Sequence, residues 1–100
     1  MSDPRLITPR ELRLIECFSS CELALTPQQM QARWQIERTQ IATICNAADV
    51  TVNRWFSWGQ TRQHPNPYNL QRLALADILL EFYEELPGAL IARYCHRGLR

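Results

Sequence analysis

The sequence predicts an all-α fold of five to six helices. Three observations carry this. No stretch alternates apolar and polar residues over strand length. Two helix-start signatures of one form, Thr8-Pro9-Arg10-Glu11 and Thr26-Pro27-Gln28-Gln29, each precede apolar residues at helical spacing. Helix-breaking residues, Asn46, Gly59 and Pro87-Gly88, punctuate the remainder.

Taken in order, residues 1–7 read as a loose tail. Thr8 can cap a helix, Pro9 suits its first position, and Glu11 stands where a reciprocal cap needs it. Leu14, Cys17, Phe18 and Cys21 follow at i, i+3, i+4 and i+7, so an amphipathic helix is expected over 8–20. The second signature predicts a helix over about 27–35 that buries Met30 and Trp34. Glu37-Arg38-Thr39-Gln40 restarts a short helix carrying Ile41, Ala42, Ile44 and Cys45. At Asn46 a left-handed turn is expected, because Asn tolerates that backbone better than any residue but Gly. Asp49 is read as the cap of the next helix. That helix is expected over about 49–58, with Val52, Trp55 and Phe56 inward and Gly59 ending it. A polar loop with Arg62 and His64 follows. Asn66-Pro67 then opens the longest helix, expected to reach Leu86. A last helix over about 89–95 leads to a basic end with Arg93, His96, Arg97 and Arg100.

One hundred residues have room for a single core, so residues 1–100 are expected to form one domain. No apolar run is long enough to span a membrane, and the polar start Met1-Ser2-Asp3-Pro4-Arg5 does not read as a signal peptide. The cysteines Cys17, Cys21, Cys45 and Cys95 form no CxxC pair, which predicts reduced, mostly buried thiols and a cytoplasmic protein. Cys17 and Cys21 share a helix face, but with Cys95-His96 they make no known zinc pattern, so no metal and no cofactor are expected. A Ser-His-Asp set, an HExxH pair and a Gly-rich phosphate loop are all missing, so an enzyme is not expected.

The informative stretch is 38–57. A short helix with small Ala42 between Ile41 and Cys45, a tight turn at Asn46-Ala47-Ala48, and a second helix with Val52 and Trp55 three apart have the spacing of a helix-turn-helix. Ala42 must be small where the second helix crosses it. Val52 and Trp55 pin that helix and leave its other face projecting. On these residues, together with the capped opening from Thr26 through Trp34 and the loop with Arg62, Pro65 and Pro67, residues 26–86 resemble the phage-repressor and Cro-like (Xre-type) helix-turn-helix domain. The resemblance implies a lambda-repressor-like core with an extra N-terminal helix and a long apolar fourth helix. The sequence departs from the family at Asn46, where a Gly is usual, and at Arg38, where a Gln is usual. The segment Phe56-Ser57-Trp58-Gly59 is also about one residue longer than usual.

The resemblance implies double-stranded DNA as partner. Base edges in the major groove would then meet Ala48, Val50, Asn53, Arg54 and Ser57. Arg54 can bridge guanine O6 and N7, and Asn53 can pair with adenine N6 and N7. Phosphates would meet Arg38, Gln40, Thr51, Arg62, Gln63 and Asn69, the last at a helix N-terminus. Net charge is only +1, and all eleven basic residues are Arg. Between Gln28 and Arg72, however, five Arg stand against two acids, Glu37 and Asp49. The acidic cluster Asp77, Glu81, Glu84 and Glu85 lies elsewhere, so the charge is distributed as a dipole.

The long helix is apolar on more than one side. Leu75, Leu79, Phe82 and Leu86 make one stripe, and Leu73, Leu80 and Tyr83 begin another. A helix apolar all round is buried all round. This predicts a homodimer through the long helix and the C-terminal segment, with the N-terminal helix as the other candidate. The expected function is a sequence-specific DNA-binding transcriptional regulator, a repressor. The alternative is a protein–protein interaction module on the same scaffold without DNA, with Trp58 and Phe56 as anchors.

Overall fold

In a computed structural model, residues 3–94 of the chain are described, and all their regular structure is helical. Six α-helices follow in order: α1 (Pro9–Ser20), α2 (Pro27–Arg33), α3 (Arg38–Cys45), α4 (Asp49–Trp55), α5 (Pro67–Glu81) and α6 (Gly88–Tyr94). Short 3-10 turns occupy Gly59–Thr61 and Tyr83–Glu85. Among the described residues, no helix is long and apolar enough to cross a membrane. Cys95, His96, Arg97 and Arg100 lie outside the described residues.

The core sits where four helices meet. Met30 from α2, Ile41, Ala42 and Cys45 from α3, Val52 and Trp55 from α4, and Leu73 from α5 form one buried cluster. The central α3 packs on both α4 and α5, and α2 packs on α5. The start of α2 is a complete capping box. Thr26 Oγ1 accepts from the Gln29 N–H at 3.0 Å, and Gln29 Oε1 accepts from the Thr26 N–H at 2.9 Å. Leu25 N–H donates to Leu70 O at 3.0 Å, which ties the approach to α2 onto α5.

The molecule measures 53 × 33 × 22 Å, with a radius of gyration of 16.8 Å. A compact chain of this length has about 13 Å. Two helices, α1 and α6, bury none of their residues. Leu12, Leu14, Ile15 and Phe18 are all more than half exposed. Cys17 and Cys21, expected to be buried, are exposed for the same reason, and of the described cysteines Cys45 alone is buried.

Several boundaries differ from expectation. Thr8 stands at the N-cap of α1 but its side chain makes no capping bond. The second helix stops at Arg33 rather than Gln35, with Trp34 already extended as its C-cap. Ala48, not Asp49, is the N-cap of α4, and Asp49 is its first residue, where a carboxylate suits the positive end of the helix. The helix expected to reach Trp58 ends at Trp55, so Ser57 and Trp58 lie beyond it. Phe56 is half-buried, and Gly59 (φ 70°) opens a 3-10 turn instead of closing the helix. The longest helix stops at Glu81 and the chain tightens into the Tyr83–Glu85 turn before Leu86. Of the two apolar stripes, the one that begins at Leu73 meets the core, through Leu73 and Ala74, while Leu75, Leu79 and Phe82 of the other are 43–47% exposed.

Candidate nucleic-acid interface

The site is built on α3, the turn after it, and α4. The expected left-handed residue is found: Asn46 has φ 52° and ψ 46°. Behind it the Ala47 N–H closes on Ala42 O at 2.9 Å, which ends α3 and reverses the chain. The buried Ala42 presents no bulk at this junction, so α4 can pack close. Val52 and Trp55 then seal one face of α4 into the core, at 0% and 2% exposure. Val50, Asn53 and Arg54 fall at i, i+3 and i+4 on the opposite face, and all three are exposed. Ala48 is exposed beside them at the helix start, and Thr51 on the flank is half-buried.

Ser57 does not join that face. It follows the helix, is half-buried, and its hydroxyl donates to Asn53 O at 2.9 Å. The end of α4 is instead a capped joint. Arg54 O accepts from the Gln63 N–H at 3.0 Å, and Trp55 O accepts from Gln28 Nε2 at 3.0 Å. The backbone of Gln63 is therefore spent on the joint, while its side chain and that of Arg62 stay exposed.

The two residue sets meet at Arg38. Its guanidinium lies 4.5 Å over the Phe56 ring, and Nη1 donates to Asn53 Oδ1 at 3.4 Å. This joins the first residue of α3 to the exposed face of α4. Gln40 carries no free carbonyl oxygen, because its Oε1 accepts from the Glu37 N–H at 2.9 Å. Asn69 is half-buried at the α3–α5 junction, where its carbonyl accepts from the Cys45 thiol at 3.8 Å. Its own N–H is taken by Asn66 Oδ1 at 2.8 Å, so one of the amide donors at the start of α5 is already satisfied. Burial pushes the Cys45 thiol up from its ordinary pKa, and the charge of Arg72 opposes this in part.

The five Arg between residues 28 and 72 divide sharply. Arg33 is bound to α5: its Nε meets Asp77 Oδ1 at 2.6 Å and its Nη2 meets Glu81 at 3.5 Å. Trp34 Nε1 donates to the same Asp77 oxygen at 2.7 Å. Burial alone would raise the Asp77 carboxyl, but the two hydrogen bonds and the Arg33 charge outweigh it and hold the group below its usual value. Arg72 Nε donates to Ile44 O at 2.6 Å. Arg38, Arg54 and Arg62 remain on the α3–α4 side.

Two further residues border the site, and only the first escaped sequence reasoning. Gln28 reads as a helix-start residue, yet it caps α4 across 27 positions. Trp58 is 88% exposed, and with Gln28 and Arg62 it lines a shallow cleft of about 200 Å³ at the end of α4. Its exposure agrees with its place as an anchor in the alternative reading, whereas Phe56, the other anchor, is half-buried. Comparison with protein-family models, with curated proteins and with solved structures returned no match for this chain.

Proposed function

We propose that this chain is a sequence-specific double-stranded DNA-binding regulator of transcription, acting as a repressor, with α3 and α4 as a helix-turn-helix of the phage-repressor and Cro-like kind. One observation carries the reading. Directly after a left-handed turn, α4 is split between a sealed face (Val52, Trp55) and an exposed face (Val50, Asn53, Arg54). A helix held from behind and bare in front suits insertion into the major groove. Arg54 reads guanine, Asn53 reads adenine, and Val50 meets a thymine methyl. Arg38 and Arg62 take flanking phosphates, joined by the side chains of Gln40, Thr51, Gln63 and Asn69 where they reach. Ala48 approaches the bases at the helix start, and Ser57 serves the joint rather than the bases. Two copies paired through α5 and the C-terminal segment read two half-sites about 34 Å apart. The protein works in the cytoplasm and needs no cofactor.

The exposed apolar residues of α1 and α5 favour a second reading, a protein-binding module without DNA. Fluorescence anisotropy on duplex probes decides between the two. The expected result is preference for one sequence, affinity falling steeply with salt, and a loss of about 5- to 150-fold in Arg54→Ala, equivalent to about 1–3 kcal/mol. Absence of binding at low salt, or an unchanged Arg54→Ala, overturns the DNA reading.

A further inference from the structure

Trp58 stands apart from the other aromatic side chains around the site. Trp55 is sealed in the core and Phe56 is half-buried under Arg38, whereas Trp58 is 88% exposed. The backbone that carries it is tethered. Ser57 N–H and Gln63 N–H both donate to Arg54 O, at 3.3 and 3.0 Å, so both ends of the Trp58 loop hang from one residue of α4. Within the loop, Thr61 Oγ1 donates to Trp58 O at 3.2 Å, and Arg62 N–H closes on Gly59 O at 3.2 Å. Gly59, at φ 70°, turns the chain between them. A loop already ordered in this way has little freedom left to lose when a partner covers it, which favours contact.

We propose that Trp58 lays its indole ring against a deoxyribose of the DNA backbone just outside the half-site, beside the phosphate that Arg62 takes. The inference deepens the DNA reading above and rests on it. Exposure alone would serve a protein partner equally, but three features of the surroundings select the sugar–phosphate chain. The first is charge. From Val50 to Ala76 the chain holds Arg54, Arg62 and Arg72 and no Asp or Glu. Among the described residues neither Arg54 nor Arg62 is in an ion pair. A stretch of that sign attracts a polyanion. The second is the make-up of the cleft. Trp55, Phe56 and Trp58 give it an apolar lining, Arg62 adds a guanidinium, and Gln28 and Ser57 add no charge. The nucleotide backbone offers the matching pair, an apolar sugar face next to a phosphate that suits the planar fork of Arg. The third is place. The N-terminal residues of a reading helix meet the base edges. Trp58 follows the C-terminal end of α4, so its ring meets backbone rather than bases.

The test uses the full chain and the duplex that the wild type prefers. Hydroxyl-radical cleavage reads the exposure of each sugar. The wild type should protect a sugar just outside the half-site, and Trp58→Ala should expose that sugar while protection within the half-site persists. Circular dichroism of Trp58→Ala should be unchanged, because the side chain is exposed. Its affinity should fall about 10-fold, the usual loss when an interface aromatic is truncated. The salt slope should stay the same, because the ring carries no charge, and Trp58→Phe should keep most of the affinity. Arg62→Ala should instead lower the slope by about 1. A Trp58→Ala variant that binds and footprints like the wild type overturns the proposal and returns Trp58 to a protein partner. The DNA reading survives that outcome if Arg54→Ala still loses sequence preference. A wild type that binds no duplex at low salt overturns both.

Discussion

The helices α1 and α2 begin with the same signature and fare differently. At α2 both halves of the capping box close, and Pro27 and Met30 are buried behind it. At α1 the Thr8 side chain makes no capping bond and nothing is buried. The difference lies upstream of the caps. Leu25, just before Thr26, is held by Leu70 O. Leu6 and Ile7, just before Thr8, are 90% and 57% exposed. A capping motif marks where a helix can start, but tertiary contact holds the start in place. The core of α2–α5 is thus closed within the chain, while α1 buries none of its residues.

The sharpest way to break this contrast is to cut one aromatic from each region. Trp55→Ala, in the sealed core, should cost about 3–5 kcal/mol. Phe18→Ala should change the stability of dilute protein by less than about 0.5 kcal/mol. Urea unfolding of both variants measures the gap, and equal losses would mean that α1 belongs to the core.

Next in size is the Asp77 clip on the anchored side. The folded carboxyl has a lowered pKa, so its stabilising effect is complete above the ordinary carboxylate range and is lost as pH falls through the folded value. Asp77→Asn should cost about 1–2 kcal/mol near neutral pH, the usual worth of hydrogen bonds to a charged group reduced for the exposure of Arg33. The variant should also flatten the acid limb of the stability curve. Melting temperatures from pH 7 down to pH 3 measure both effects.

The two caps come third. Thr26→Ala should lose about 1 kcal/mol, and Thr8→Ala should lose almost nothing. A paired thermal melt compares them, and an equal loss would show that α1 is capped in solution. Smallest is Asn46→Gly. The left-handed backbone at φ 52° suits Gly, so stability should stay within about 0.5 kcal/mol, while Asn46→Ala loses about 1 kcal/mol. Chemical denaturation resolves the pair.

Most of the central unit was legible in the sequence, because its signals are local. The spacing of Ile41, Ala42 and Cys45, the turn at Asn46, and the inward pair Val52 and Trp55 all follow from helical period and backbone preference, and all are found. Three things were not legible, each for a physical reason. The helix α4 ends at Trp55 with no Gly or Pro to mark it; a side-chain bond from Ser57 and long-range caps from Gln28 and Gln63 close it instead. The apolar period of α5 runs on through Phe82, so the 3-10 turn at Tyr83–Glu85 leaves no trace in the pattern. Asp77 read as one member of an acidic cluster, because its partners Arg33 and Trp34 are more than 40 residues away. At the candidate interface, exposure of Val50, Asn53 and Arg54 was foreseeable from period alone. The engagement of Arg38 with Phe56 and Asn53 was not.

That same Asp77 contact has a consequence in time. It joins residues 44 and 43 positions apart, whereas α3 and α4 are formed by neighbours in the chain. Closing so long a loop for two hydrogen bonds is an unfavourable early step, so the contact is expected to form after the folding barrier is crossed. A late contact leaves the rate of folding alone and governs the rate of opening. On that expectation the α2–α5 clip is a latch on the lifetime of the folded chain, and Asp77→Asn should leave the folding arm of a chevron plot in place while raising the unfolding arm.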